Sequence, residues 1–167
     1  CDQFARELRE FDLALPTEAQ WEWAYRAGTR TAYPYGEDAS SLAGHENLAD
    51  RFAREHGRND KWRFLDWLND GHTVHAPVGS FSPNPFGLHD MGGNVKEWCA
   101  DTWEDYPAVA PRPGDGLRHG TFDRYRIVRG GSYACADDDP RAAARGGVEK
   151  TLSGPEAGAR PMRRLVR

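Results

Sequence analysis

Residues Ala76 to Trp103 read APVGSFSPNPFGLHDMGGNVKEWCADTW, and the fold turns on how this stretch is read. Its first part, APVGSF, has the form of a short strand. Its last part, NVKEWCADTW, has the alternation of another, with Val95, Glu97 and Cys99 on one side and Lys96, Trp98 and Ala100 on the other. Between them Gly92 and Gly93 tolerate positive φ and allow a sharp turn. Asp90 and Glu97 flank that turn, so two carboxylates and several backbone carbonyls can be wrapped around one centre. A hard cation such as calcium takes 6–8 oxygens of that mixed kind. The same string also reads as an ordinary turn with solvated acids.

Upstream, LPTEAQWEWAYRAG predicts a helix. Thr17 is a good N-cap, Gln20 three residues on completes a capping box, and Gly28 supplies the stop. Trp21, Ala24 and Tyr25 give it a buried aromatic face. CDQFARELREF predicts an earlier helix with Phe4, Leu8 and Phe11 as its apolar stripe. That helix starts without a cap, which suggests that Cys1 is a cut inside a larger domain, its N-terminal segment missing. A lipidated N-terminal cysteine is the alternative. From Thr29 to Val74 turn dipeptides dominate, with one short helical patch around Asp50 to His56. Downstream, RIVRGGSY predicts a further strand. The expectation is one α+β domain over residues 1–167, loop-rich, with two helices and short antiparallel strands.

Composition narrows the function classes. The 167 residues carry a net charge of −4, so no basic footprint marks a nucleic-acid binder. No apolar run approaches the roughly 20 residues that span a bilayer. Three cysteines at wide spacings allow at most one bridge, and no CxxC, HExxH or Cys/His cluster indicates zinc. The six histidines are scattered, with only His72 and His75 close together.

Several blocks in fixed order, LPTEAQWEWAYRAG, YPYG, NLAD, the Ala76–Trp103 stretch, RIVRGGSY, RAAAR and GARPMRR, resemble the formylglycine-generating enzyme (sulfatase-modifying factor) family. The resemblance implies a variant C-type lectin-like fold. It implies two calcium ions: the first held by Asn47, Leu48, Asp70 and His72, the second by Asp90, Gly93, Val95 and Glu97. It also implies a pair of cysteines that binds Cu(I), because soft thiolates are what Cu(I) prefers.

Cys135, two residues after GGSY, stands at the first cysteine position. Pro140 stands where the second should be, and Lys96 replaces a family tryptophan. Asp137, Asp138 and Asp139 lie beside the remaining thiol, and negative charge raises a thiol pKa. Copper is therefore not expected, and Cys135 is catalytic only if the chain is an active oxidase. The expectation is a non-catalytic, calcium-stabilised binding or regulatory module with a protein or peptide ligand. Ser132, Tyr133, Arg141 and Arg145 are the candidate ligand-binding residues, with ion pairs to Asp137–Asp139 as the plainer role for the two arginines. Arg129 is assigned to strand pairing. The alternatives are a copper-dependent oxidase of a sulfatase cysteine, with Cys99 repositioned as second ligand, and a variable protein of a diversity-generating retroelement. A sulfoxide synthase would need a three-histidine iron site that these histidines do not supply.

Overall fold

The computed structural model describes residues 2–57, 61–106, 108–121 and 123–163. Its helices are α1 (Asp2–Glu10), α2 (Glu18–Arg26) and α3 (Arg51–His56), with a 3-10 turn at Ala39–Leu42. Its strands are β1 (Lys96–Thr102), β2 (Tyr125–Arg129), β3 (Gly146–Glu149) and β4 (Ala157–Gly158). They form one sheet in the order β3-β2-β1-β4, antiparallel except where β4 runs parallel to β1.

α2 begins as its sequence dictates. The Thr17 side chain accepts from the Gln20 N–H and the Gln20 side chain accepts from the Thr17 N–H, a complete capping box. The stop comes one residue earlier than expected: Ala27 already adopts the left-handed conformation at φ 48, and Gly28 follows at φ 90. α1 buries Leu8, but its predicted stripe is corrected at the end. The helix closes at Glu10, the chain reverses through Asp12 at φ 58, and Phe11 is left 67% exposed. The Phe4 side chain and Cys1 lie outside the described residues.

β1 is covered on both faces. On one side Cys99 packs with Trp21, Tyr25, Met91, Ile127 and Ala142, which docks α2 against the sheet. On the other, Trp98 and Val128 pack with Leu8 and Leu15, so α1 and the segment after it close the opposite face. A third cluster of Tyr33, Leu42, Leu48, Leu65, Leu68 and Ala136 organises the long irregular region. Asp50 ties that region together: one carboxylate oxygen caps α3 through the Ala53 N–H at 2.8 Å, the other accepts the Asp70 N–H at 2.5 Å.

The expected strand at APVGSF does not form. Its N–H groups find side chains instead of a ladder: the Ala76 N–H goes to Asn94 Oδ1 at 2.9 Å and the Gly79 N–H to Asp90 Oδ2 at 2.6 Å. A turn at Gly79, φ 77, completes the departure. The segment instead becomes a strap laid across the 90–97 turn.

Candidate cation-binding and thiol sites

Two loops meet at the top of β1. The backbone of Asn47 lies against the 92–94 turn, where the Asn94 N–H donates to the Asn47 carbonyl at 2.8 Å. The fit is tight, since a methyl group at Gly93 would stand 2.5 Å from that same carbonyl. Asn94, itself left-handed at φ 66, fixes three segments with one carboxamide. Its Oδ1 accepts from the Asn47 side chain and from Ala76, and its Nδ2 donates to the Ala76 carbonyl.

Around this junction the structure brings together the residues expected for the first ion. Asp70 accepts the Leu48 N–H at 3.0 Å and the His72 N–H at 2.8 Å. Burial pushes its carboxyl up from 3.8 to about 6, against the pull of those two N–H donors. Asn47 donates its amide nitrogen to the Val74 carbonyl at 2.8 Å, while its Oδ1 is buried without a donor. An oxygen left in that condition costs about 1–3 kcal/mol unless something positive meets it.

The second set is arranged differently. Asp90 gives Oδ2 to the Gly79 N–H and leaves Oδ1 buried without a donor. Gly93 is buried, and its carbonyl accepts the Val95 N–H at 2.8 Å. Glu97 already has donors: the Trp21 indole N–H at 2.7 Å and the Arg160 guanidinium, whose closest nitrogen is at 2.8 Å. Asp90, Glu97 and Arg160 line one cavity of about 470 Å³, together with Val78, Gly79 and Asn94.

Sequence reasoning passed over Glu46, which is fully buried beside Asn47. Its Oε1 accepts the Tyr35 hydroxyl at 3.0 Å, its Oε2 has no donor, and burial pushes its carboxyl up to about 8. The signal available was a second acid, beside Asp50, in the short ENLAD segment. It was masked by the neighbouring asparagine, to which the resemblance assigns the role.

The thiol site lies across β1. Cys135 Sγ is 3.3 Å from the Ser132 hydroxyl, which also donates to Glu156 at 3.2 Å. Lys96 pairs with Asp139 at 3.2 Å, and both bear on the ionisation of Cys135. The thiol is pushed up first by burial and then by Asp139, while Ser132 and Lys96 pull the other way. Asp137 and Asp138 pair with Arg63 instead. Pro140, at the position where the resemblance implies a second cysteine, is buried, its carbonyl accepting the Tyr25 hydroxyl at 2.7 Å. Cys99 is fully buried in the core cluster under α2, and both thiols are free.

Of the ligand-binding candidates, Ser132 and Tyr133 stand at this site. Tyr133 is held edge-on by His75 at 4.6 Å and Trp62 at 5.6 Å. Arg141 donates to the Asp138 carbonyl at 3.1 Å, a backbone contact in place of the expected ion pair. For Arg145 the expected ion pair with Asp137–Asp139 is replaced by another: its guanidinium is engaged by Glu18 at 2.6 and 2.8 Å and stacked 3.8 Å over Tyr106. The 127-residue separation hides that pairing from sequence inspection. Arg129 does more than pair strands, since it is fully buried and donates to Glu22 at 2.7 Å and to the Ala142 carbonyl at 2.5 Å.

Comparison with known proteins adds ancestry to this geometry. A family model described as the sulfatase-modifying factor enzyme 1-like domain matches residues 1–165. A formylglycine-generating enzyme from Thermomonospora curvata is 37% identical over 132 residues, 72% of this chain and 38% of that enzyme. One from Streptomyces coelicolor is 34% identical over 74% of this chain and 37% of its own length. The serine/threonine-protein kinase pkn1 of Chlamydia pneumoniae is 34% identical over 78% of this chain and 18% of the kinase. Among solved structures, PvdO from Pseudomonas aeruginosa superposes with a TM-score of 0.73 at 27% identity, covering 98% of this chain and 58% of PvdO. Treponema denticola variable protein 1 gives 0.68 at 26% identity, covering 89% and 46%. The chain therefore spans less than two-fifths of the length of the two enzymes.

Proposed function

The chain belongs to the sulfatase-modifying factor family, with that family's C-type lectin-like fold, and from that premise we propose that it is a non-catalytic, calcium-braced module that binds a protein or peptide ligand. The observation that carries the reading is the single thiol. Among the described residues Cys135 faces Ser132, Lys96 and Asp139 and no second sulfur, and a buried proline stands at the position where the resemblance implies the partner cysteine. One thiolate does not hold Cu(I) in the two-sulfur arrangement that the family's oxidation chemistry uses. Burial also keeps this thiol in its less nucleophilic, protonated form.

Calcium fits the donor set. Asn47 and Asp90 each present a buried oxygen with no donor, and both are hard ligands of the type calcium takes. Asn47, Leu48, Asp70 and His72 would hold one ion, and Asp90, Gly93, Val95 and Glu97 the other. Bound to the folded form alone, the ions would brace the long loops that the third apolar cluster organises. Ser132 and Tyr133, both buried on the strand-to-loop turn beside Cys135, would support the ligand surface from beneath rather than form its exposed face.

Titration with Cu(I) under a competing chelator tests the reading. We expect no stoichiometric complex that withstands the competitor. A tight one-to-one complex that is abolished by Cys135→Ser would contradict it and favour the oxidase, the activity for which two of the relatives are named.

A further inference from the structure

Six acidic side chains are buried among the described residues: Glu18, Glu46, Asp50, Asp90, Glu97 and Asp101. A buried carboxylate is tolerated when it is paired, fully hydrogen-bonded or bound to a metal. Glu18 is paired with Arg145 and Glu97 with Arg160. Asp50 has both oxygens satisfied by the Ala53 and Asp70 N–H groups, and Asp101 by those of Glu18 and Arg118. Glu46 and Asp90 remain. Each has one oxygen bonded, each leaves the other buried without a donor, and among the described residues neither forms an ion pair.

These two acids belong to loops that press on each other. A methyl group at Gly92, two residues after Asp90, would stand 2.8 Å from Glu46 Oε1 and 2.2 Å from the Tyr25 hydroxyl. Glu46 is also approached by the Gly92 N–H, a neutral donor, and among the described residues Arg160 is already committed to Glu97 and to the His89 carbonyl at 2.7 Å. No three Asp, Glu, His or Cys side chains among the described residues form a metal cluster of their own. A cation here must therefore complete its shell with backbone carbonyls and water, which calcium does readily.

We propose that Glu46 is a further cation ligand, its Oε2 facing the same hard divalent ion as Asp90 Oδ1. It supplies the carboxylate that Glu97, held by Arg160 and Trp21, gives only in part. The assignment rests on the calcium reading above and extends it to a residue outside the family's expected ligand set. The protein itself, stripped with EGTA, is titrated with calcium by calorimetry alongside Glu46→Gln and Asp90→Asn, with the melting temperature followed in parallel. Glutamine keeps the acceptor for Tyr35 and removes the charge. Both variants should weaken one calcium site by about tenfold or more, in keeping with affinity set by ligand charge count, and leave the other unchanged. Glu46→Asp, which keeps the charge but withdraws it by one methylene, should show the same loss at that one site and serves if the glutamine variant does not fold. Calcium binding by both Glu46 variants that equals the unaltered protein's would overturn the role of Glu46 while leaving the calcium reading intact. Absence of calcium binding by the unaltered protein would overturn both.

Discussion

The chemistry of Cys135 is set by three side chains and its own burial. A thiolate there would gain from Lys96 and from the Ser132 hydroxyl, but burial and Asp139 outweigh them and the thiol is held above its ordinary 9.0. Since the thiolate is the reactive species, alkylation by iodoacetamide should be slow at neutral pH and should climb steadily as pH passes 9. Mass spectrometry on Cys135-containing peptides across pH 6–10 reads this directly. A rate that already plateaus near neutrality would mean an activated cysteine. The sequence showed the acids beside the thiol but not their division of labour. Only Asp139 reaches Cys135, because Arg63 draws off the other two, and burial, the larger cause, is not visible in a loop sequence.

Among the elements, those that were legible had strong local signals. α2 is announced by Thr17 and Gln20, α3 by the short patch from Asp50 to His56, and β1 by its alternation, and each forms close to its expected bounds, whereas β2 stops at Arg129 and leaves the GGSY end of its expected stretch outside the strand. β3 and β4 escaped notice because Gly146, Gly147, Ala157 and Gly158 carry no apolar pattern. Close approach is what places glycine there, for a methyl group at Gly147 would stand 2.5 Å from the Trp103 ring. APVGSF failed in the opposite sense, its strand-like pattern overridden by Asn94 and Asp90, which satisfy its N–H groups from outside. The capping box offers a test at this scale. Thr17→Ala removes the acceptor for the Gln20 N–H and the donor to the Asp115 carbonyl at 2.6 Å. It should destabilise the protein by about 1 kcal/mol, read as a lower midpoint in urea unfolding with an unchanged slope. An unchanged midpoint would show that α2 is held by Trp21 and Tyr25 alone.

At the scale of the molecule, a thin four-stranded sheet and three short helices carry a large share of irregular chain. What fixes that chain is a set of buried polar residues, Asn47, Asp50, Asp70, Asp90 and Asn94, each tying segments far apart in sequence. The resemblance made the ordered blocks, and so the fold and three of these five residues, Asn47, Asp70 and Asp90, readable in advance. It did not reveal Glu46, which depends on which acids lack partners, or the pairing of Arg145 with Glu18, which depends on tertiary contact. Among the described residues no helix is long and apolar enough to cross a membrane. Relatives that share this family are named formylglycine-generating enzymes, so the distinction we propose rests on sulfur rather than on architecture. The most direct measurement incubates the protein with copper, dioxygen and a peptide bearing the sulfatase-type CxPxR sequence, and follows the peptide cysteine by mass spectrometry. The account predicts a peptide that stays a thiol apart from background disulfide, whereas conversion of its cysteine to an aldehyde over repeated turnovers would contradict it.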